Sequence, residues 1–179
     1  MSSQITTSKG IVTVRPAVTS DAELLRDLRL EALARHPEAF AADYAKTEAD
    51  PAERWVEYIT GYASSNSGVI CVASADDRLI GMMGLTRGHH PKTRHRAEIW
   101  GVYVNADWRG FRVGDALLNE CIAWAKAQGI ITVNLGVVTT NTSAIRCYAR
   151  CGFTIYGIDP KIIYHDGIYY DELLMTKSI

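Results

Sequence analysis

Hydrophobic and polar residues alternate along several short segments of the chain, and this period of two is typical of β-strands. The first such segment covers residues 11–15, is rich in β-branched side chains, and ends at Pro16. Further short apolar segments predict six more strands, at residues 69–73, 79–85, 97–104, 131–138, 153–158 and 168–175. The pattern therefore predicts a sheet of up to seven strands.

Other segments place apolar residues every three or four positions, which is typical of one face of a helix. They predict four helices, at residues 20–35, from about residue 51 onward, 109–129 and 141–150. The resulting order, β-α-α-β-β-β-α-β-α-β-β, contains no internal repeat and no low-complexity linker. We therefore expect one α/β (α+β) domain with a mixed sheet over residues 11–179. Residues 1–10 are polar, and we expect them to form a flexible leader.

Composition and charge narrow the classes of function. The 179 residues are 47% hydrophobic and 22% charged, as in an ordinary globular protein, and the net charge of −1 gives no electrostatic reason to bind nucleic acid or a membrane surface. No apolar run approaches the roughly 20 residues that span a bilayer, and the N-terminus lacks the apolar core of a secretory signal. The four cysteines are interpreted as reduced thiols rather than metal ligands. We therefore expect a cytoplasmic protein without a metal.

One segment carries candidate chemistry, because strand 97–104 runs into a glycine-bearing turn, Arg109–Gly114, and then into a helix. The first amides of a helix have no internal partners and lie at the positive end of its dipole, so such a turn can bind an anion. By itself this signal is weak, because a glycine before a helix is more often simply a helix start. A P-loop is excluded because Gly114 is followed by Asp115 and Ala116, and the glycine spacing does not fit a dinucleotide-binding turn.

The same segment resembles the GNAT superfamily of acetyl-CoA-dependent acetyltransferases, whose signature turn is Gln/Arg-x-x-Gly-x-Gly/Ala. Arg109 and Gly114 are in register with that motif, and Arg112 stands in place of its middle glycine. An arginine can still present its amide there if its φ is ordinary, and its guanidinium can contact a phosphate. Residues 141–153 resemble the family's second motif, Asn-x-x-Ala-x-x-x-Tyr-x-x-x-Gly-Phe, at every position. The resemblance extends from about residue 11 to residue 177.

The resemblance implies a fold, a reaction and a set of contacts. The implied fold is a mixed, mostly antiparallel sheet of six to seven strands with splayed central strands and about four helices. The implied reaction is direct attack of the primary amine of a small molecule on the thioester of acetyl-CoA, without a metal. The implied coenzyme contacts are Val102, Tyr103, Val104, Arg109, Gly110, Phe111, Arg112, Val113, Gly114, Asp115, Asn141, Ala144 and Tyr148.

Two residues are candidates for proton transfer. Tyr148 is the implied acid for the departing thiolate, and the alternative is a tyrosine that packs in the core. Glu98 is the implied base, because an isolated carboxylate on this strand is expected to be partly buried with a raised pKa. The alternatives are a solvated Glu98, an ion pair with a neighbouring arginine, or a base supplied by water or by a histidine of residues 89–95.

The acceptor site implied by the resemblance is built from the first two helices, the loop before the signature strand and the last hairpin. Its candidates are Arg29, Glu31, Phe40, Tyr44, Trp55, Tyr164, His165, Tyr169, Asp171 and Glu172. For each aromatic residue the alternative is core packing. Two other functions stay open, namely acetylation of a protein or peptide and a non-catalytic acyl-CoA-binding module. A homodimer is a further expectation from the resemblance.

Overall fold

The computed structural model describes residues 2–179, which form eight strands and five α-helices, and Met1 lies outside this range. The strands are β1 (Ser3–Thr7), β2 (Gly10–Pro16), β3 (Gly68–Ala75), β4 (Arg78–Arg87), β5 (Arg96–Val104), β6 (Thr132–Val138), β7 (Thr154–His165) and β8 (Ile168–Ser178). The helices are α1 (Ala22–Arg35), α2 (Tyr44–Ala49), α3 (Glu53–Ser65), α4 (Val113–Ala127) and α5 (Thr142–Arg150). No helix within residues 2–179 has both the length and the apolar character needed to cross a bilayer.

All eight strands form one sheet in the order β1-β2-β3-β4-β5-β6-β8-β7. Neighbouring strands are antiparallel except for β5 and β6, which are parallel. This arrangement confirms the expected mixed, mostly antiparallel sheet. The sheet has one strand more than the upper expectation of seven, and there are five helices where about four were expected, because β1 and the short helix α2 were not predicted.

The polar segment expected to form a flexible leader contains strand β1 instead. β1 pairs with β2 along its whole length, from Ser3 opposite Val14 to Thr7 opposite Gly10. Its one large apolar residue, Ile5, packs against the main core. An edge strand of this kind is held mainly by its backbone, so one apolar side chain among polar ones is too weak a pattern to predict it.

Two apolar layers lie on opposite faces of the sheet. On one face α1 and α3 pack on the central strands, with Leu25 and Trp55 in that cluster. On the other face α4 and α5 pack on the same strands, with Leu117 buried at their centre. Met82 and Met83 of β4 are both fully buried, one in each layer, because successive strand residues point to opposite faces.

The sheet opens in its middle, where the two parallel strands separate. β5 and β6 pair at only four positions, from Arg96 opposite Thr132 to Ile99 opposite Leu135. Beyond that point β6 continues to pair with β8, whereas β5 bulges against β4 by one extra residue and Gly101 adopts a φ of +62°. The splayed central strands expected from the sequence are therefore confirmed.

Candidate active site

The opening between β5 and β6 forms a cleft of about 860 Å³. Its walls include Trp100–Val104 of β5 and Gly136–Val138 of β6. On one side of the sheet the lining continues to Arg29 and Phe40, and on the other side to the start of α4 and to Tyr148. The cleft therefore connects the two faces of the sheet, and a molecule bound on one face can meet a molecule bound on the other.

Beyond Ile99, the β5 wall has no pairing strand on the side of β6. Val102, Tyr103 and Val104 line the cleft beyond the last β5–β6 pair. The Tyr103 side chain is engaged elsewhere, because its hydroxyl donates to Glu31 Oε1 at 3.1 Å. Burial, together with the Glu31 carboxylate, raises the pKa of Tyr103 to about 12. On the side without a pairing strand, this wall can thus offer backbone N–H and C=O groups to an extended ligand, except for the Val104 carbonyl, which accepts from Arg109.

Trp100 forms another part of the β5 wall. Its indole packs over Gly84, where any side chain would overlap the ring. The indole N–H donates to Thr86 Oγ1 at 2.7 Å, which fixes the ring against β4. Trp100 therefore has a defined orientation at the edge of the cleft.

The turn before α4 bends through two left-handed residues, Gly110 with a φ of +85° and Arg112 with a φ of +63°. An arginine at position 112 was expected to present its amide if its φ was ordinary, but the φ of Arg112 is left-handed instead. α4 begins directly afterwards, and its first internal hydrogen bond runs from the Ala116 N–H to the Arg112 carbonyl at 3.0 Å. The N–H groups of Val113 and Gly114 thus belong to the first turn of a helix and are available to an anion.

Two side chains of this turn make contacts with other parts of the protein. Arg109 donates to the Val104 carbonyl at 3.1 Å and lies 2.8 Å from His36 Nε2, so it ties the end of β5 to the end of α1. Phe111 was expected to contact the coenzyme, but it does not line the cleft. Its ring instead packs against Trp108, with 6.2 Å between centroids, because the turn directs it away from the opening.

Asp115, in the first turn of α4, joins that helix to α5. Its carboxylate accepts from Arg112 at 3.1 Å, from the Cys147 thiol at 3.0 Å and from Arg150 at 2.8 Å. Burial by itself raises the pKa of Asp115, but the hydrogen bonds from Arg150, Cys147 and Arg112 outweigh it, so that pKa lies below its ordinary value. Gly114 belongs to the same junction, because a methyl group there would lie 3.4 Å from Cys147 Sγ. The start of α4 is therefore held rigidly against α5.

Ligand-type atoms of Asp115, Cys147 and Cys151 lie within 4.8 Å of one another. The Asp115 carboxylate already accepts from Arg150 and from the Cys147 thiol. Burial and the bond to Asp115 raise the pKa of Cys147 above its ordinary value, which keeps that thiol protonated. A protonated thiol is a poor metal ligand, so the observed bonds favour a structural junction.

α5 places both of its predicted residues at the cleft. Asn141 caps the helix, since its Oδ1 accepts from the Ala144 N–H at 3.2 Å, and both residues line the cleft. Tyr148, two turns further on, is only 4% exposed and also lines the cleft. Burial raises the pKa of Tyr148 above its ordinary value, so the phenol keeps its proton near neutral pH.

Two candidate carboxylates line the cleft, that of Glu98 on β5 and that of Glu172 on β8. Glu98 was expected to be partly buried, but it is exposed, because it points to the opposite face from its neighbours Ala97 and Ile99, which are buried in the α4 layer. Glu172 of β8 is partly buried, and its carboxylate lies over Gly136, where a side chain would overlap it. Burial, and then the carboxylates of Asp159 and Glu98, raise the pKa of Glu172 above its ordinary value. Glu172 is therefore a cleft carboxylate with a raised pKa.

Several other candidates lie outside the cleft. The histidines at positions 89, 90 and 95 are exposed and do not line it. Trp55 is buried in the core, and Tyr164 and Tyr169 stack on each other at 4.9 Å on an exposed hairpin. Of the acceptor residues expected from the first two helices, Arg29 and Phe40 reach the cleft.

Comparisons with known proteins agree with this geometry. A model of the Acetyltransferase (GNAT) family matches residues 27–153. The L-amino acid N-acetyltransferase AaaT of Escherichia coli K12 is 25% identical over 93% of this chain and 97% of its own length. The mycothiol acetyltransferase of Brachybacterium faecium is 28% identical over 79% of this chain, which spans 40% of that protein. A solved GNAT acetyltransferase from Streptococcus pneumoniae superposes with a TM-score of 0.85 at 25% identity, covering 94% of this chain and 99% of the other.

Proposed function

The chain belongs to the acetyltransferase (GNAT) family, and from that premise we propose that it transfers the acetyl group of acetyl-CoA to the primary amine of a small molecule by direct attack. The observation that carries the proposal is the cleft between β5 and β6. It brings the free amides at the start of α4, the part of β5 that β6 does not pair with and the Tyr148 phenol to one continuous opening. Those are the groups that a pyrophosphate, a pantetheine arm and a departing thiolate respectively require.

The residues around the turn fit the coenzyme. The N–H groups of Val113 and Gly114 are free for phosphate oxygens, and Arg112 extends an exposed guanidinium beside them. The backbone from Val102 to Val104 can pair with the amides of an extended pantetheine arm, as an added strand would. An N–H group on this wall can also stabilise the negative charge that develops on the thioester oxygen.

Two groups are assigned to proton transfer. Tyr148 donates its proton to the sulfur as the thiolate departs, which is consistent with a buried phenol whose raised pKa keeps it protonated. Glu98 accepts the proton of the attacking amine, either directly or through water, since it lies in the cleft and is open to solvent. The reaction needs a neutral amine, and the nearby Glu172 adds negative charge that attracts the ammonium form to the site.

The names of the relatives support a small acceptor. One is named for L-amino acids and another for mycothiol, and the first of these aligns over nearly its whole length. The β7–β8 hairpin extends beyond the sheet edge and carries Tyr164 and Tyr169 at its end. Such a hairpin would restrict a long peptide groove more than it would restrict a small amine.

The experiment that tests this function measures release of free thiol from acetyl-CoA in the presence of a panel of primary amines. We expect thiol release that depends on both substrates and a matching amount of acetylated amine by mass spectrometry. Tyr148→Phe should lower turnover at least tenfold while the dissociation constant of acetyl-CoA stays the same. Phe153→Leu is the matched control, because it alters the ring packed 6.1 Å from Tyr148 without removing a proton donor. Binding of acetyl-CoA without transfer to any amine would instead support a non-catalytic module.

A further inference from the structure

Arg29 of α1 carries a charge that no residue in the described part of the chain neutralises. The residue is only 9% exposed, and Nη1 of its guanidinium is fully buried without a hydrogen-bond partner. Its one favourable contact is with the ring of Phe40, whose centroid lies 4.5 Å from Cζ. Burial lowers the pKa of Arg29 to about 10, which still leaves it charged at neutral pH. A buried and unpaired charge costs several kcal/mol, so a fold that keeps one is expected to use it.

The position of this guanidinium points towards the acceptor and away from the coenzyme phosphates. Arg29 lines the cleft from the α1 face of the sheet, whereas the free amides of α4 lie on the opposite face. Nη1 lies beside the β5 bulge, where a methyl group on Gly101 would be 3.7 Å away. The guanidinium is therefore placed next to the part of β5 where the thioester is expected to react.

The same opening also contains carboxylates. Glu98 of β5 and Glu172 of β8 line it together with Arg29, as does Glu38. The other arginines of the lining belong to the turn before α4 and to the end of α5, namely Arg109, Arg112 and Arg150. A ligand complementary to Arg29 and to Glu98 and Glu172 carries an anionic oxygen group at one end and a cationic amine at the other. A free amino acid is the small molecule with these two groups at short distance.

We infer that Arg29 selects acceptors that carry a carboxylate beside the amine, so that the substrate class is free amino acids and related amino carboxylates. This inference rests on the proposed function. The guanidinium fork matches a carboxylate with two parallel N–H···O bonds. A carboxylate that pairs with the guanidinium offsets the cost of burying this charge. Part of the specificity therefore comes from pairing a charge that is unpaired in the free protein. The amine is then held on the side of Glu98 and Glu172, facing the thioester.

The first experiment compares matched acceptors, namely an L-amino acid, its carboxamide and the amine that lacks the carboxylate. Hydrogen bonds between two charged groups are stronger than those to a neutral carbonyl, so we expect kcat/KM for the acid to exceed that for the carboxamide at least tenfold. An aminophosphonate should be accepted to an intermediate extent if any anionic oxygen group suffices. Equal kcat/KM values for the acid and the carboxamide would overturn the inference.

The second experiment substitutes the guanidinium. Arg29→Met should raise KM for the amino acid at least tenfold, remove the preference over the carboxamide and leave KM for acetyl-CoA unchanged. Arg29→Lys should retain part of the preference, because it keeps the charge and loses the fork. The matched control is Arg26→Met on the same helix, since Arg26 donates to the Asp50 and Glu48 carbonyls outside the cleft. An equal loss for both acceptors in Arg29→Met would contradict a role in carboxylate recognition.

A binding measurement separates this inference from the proposed function. Calorimetric titration of the amino acid into protein saturated with coenzyme A does not depend on turnover. We expect binding to wild type, binding weakened at least tenfold in Arg29→Met, and unchanged binding in Arg26→Met. Binding that requires Arg29 without any acetyl transfer would refute the proposed function and keep the anion site. If the protein acetylates amines, but wild type and Arg29→Met bind the amino acid equally well, the proposed function would stand and the carboxylate site at Arg29 would be refuted.

Discussion

At the scale of single residues, Arg112 adopts a backbone conformation that glycine usually supplies. Its φ of +63° lies in the left-handed region, which costs an L-residue roughly 1–2 kcal/mol relative to the right-handed one. The side chain is exposed and pairs with Asp115, and exposed pairs contribute at most about 1 kcal/mol. The free amides of Val113 and Gly114 depend on this bend, so the strain is located where the turn has to present them.

Replacing Arg112 by glycine should relieve that strain. We expect Arg112→Gly to be more stable than Arg112→Ala by about 1 kcal/mol, because both variants lose the ion pair and only glycine is unstrained at this φ. Urea unfolding of the two variants measures the difference. Equal stability of the glycine and alanine variants would contradict a strained turn.

Glu172 gives the protein a specific dependence on pH. Its pKa is raised in the folded state by burial and by neighbouring carboxylates, so the folded protein holds this proton more tightly than the unfolded chain does. The tighter binding of this proton therefore stabilises the folded state fully below the unfolded pKa of about 4.3. This stabilisation is lost as the pH rises through the pKa of Glu172 in the folded state. Glu172→Gln keeps the shape and cannot ionise.

We therefore expect Glu172→Gln to gain stability relative to wild type as the pH rises from about 4 towards 8. Urea unfolding at several pH values checks the trend. Glu57→Gln on the exposed face of α3 is the control, and its stability difference should not change in the same way. A pH-independent difference for Glu172→Gln would show that its burial has no electrostatic consequence.

The pH–rate profile separates the two carboxylates. We expect Glu98→Gln to remove the acidic limb of kcat/KM, since a glutamine cannot accept the proton of the amine. Glu172→Gln should keep that limb and raise KM for the acceptor, because it removes negative charge without removing the base. Loss of the limb in Glu172→Gln alone would assign the base to Glu172.

At the scale of elements, the bulge in β5 shapes the cleft. Gly101 takes a left-handed φ there, and β5 gains one residue against β4 just where it leaves β6. An added methyl group at Gly101 meets only ordinary contacts at 3.7–3.8 Å. The requirement for glycine is thus conformational, and a side chain at this position would act through the backbone of the β5 wall.

The substitution Gly101→Ala should cost about 1–2 kcal/mol in stability and lower kcat/KM at least tenfold. Gly129→Ala is the matched control, because Gly129 at the end of α4 also has a left-handed φ, of +70°, with open space around it. It should lose similar stability and keep its activity. Full activity of Gly101→Ala would show that the bulge tolerates a side chain without moving the β5 wall.

Elements with strong local signals were predictable from the sequence, and contacts between distant elements were not. The helix expected at residues 141–150 is α5, Thr142–Arg150, and the Asn141 side chain caps it. The raised pKa of Glu172 depends on β8 inserting between β6 and β7, which places its carboxylate over Gly136. The lack of a hydrogen-bond partner at Arg29 Nη1 likewise depends on which residues surround it in space. No pattern along the chain predicts the raised pKa of Glu172 or the unpaired Arg29.

At the scale of the whole molecule, the sheet has two parts that meet weakly. Strands β1–β5 and strands β6–β8 are joined by only four paired positions of β5 and β6. A coenzyme bound in the cleft would contact both parts and so bridge them. The homodimer expected from the family resemblance stays a prediction, which light scattering of the purified protein checks.

Acetyl-CoA should therefore stabilise both parts together. At a concentration one hundred times its dissociation constant, a ligand that binds only the folded state adds about 2.7 kcal/mol to the free energy of unfolding. We expect a higher melting temperature and slower amide hydrogen exchange in both Val102–Val104 and Gly136–Val138. Adenosine 3′,5′-bisphosphate, which lacks the pantetheine arm, should protect the start of α4 only. Protection by acetyl-CoA confined to α4 would contradict an arm inserted between the strands.

The fixed position of Trp100 gives the cleft an intrinsic optical reporter. The chain has four tryptophans, of which Trp100 and Trp108 line the cleft, whereas Trp55 is buried in the core. Indole emission responds to the polarity of its surroundings. The Trp100 ring packs over Gly84 and donates a hydrogen bond to Thr86, so its orientation is fixed and its emission reports one environment. Filling of the cleft can thus be followed in real time on the unlabelled protein, with Trp100→Phe identifying the share of the signal that arises at the β5 wall.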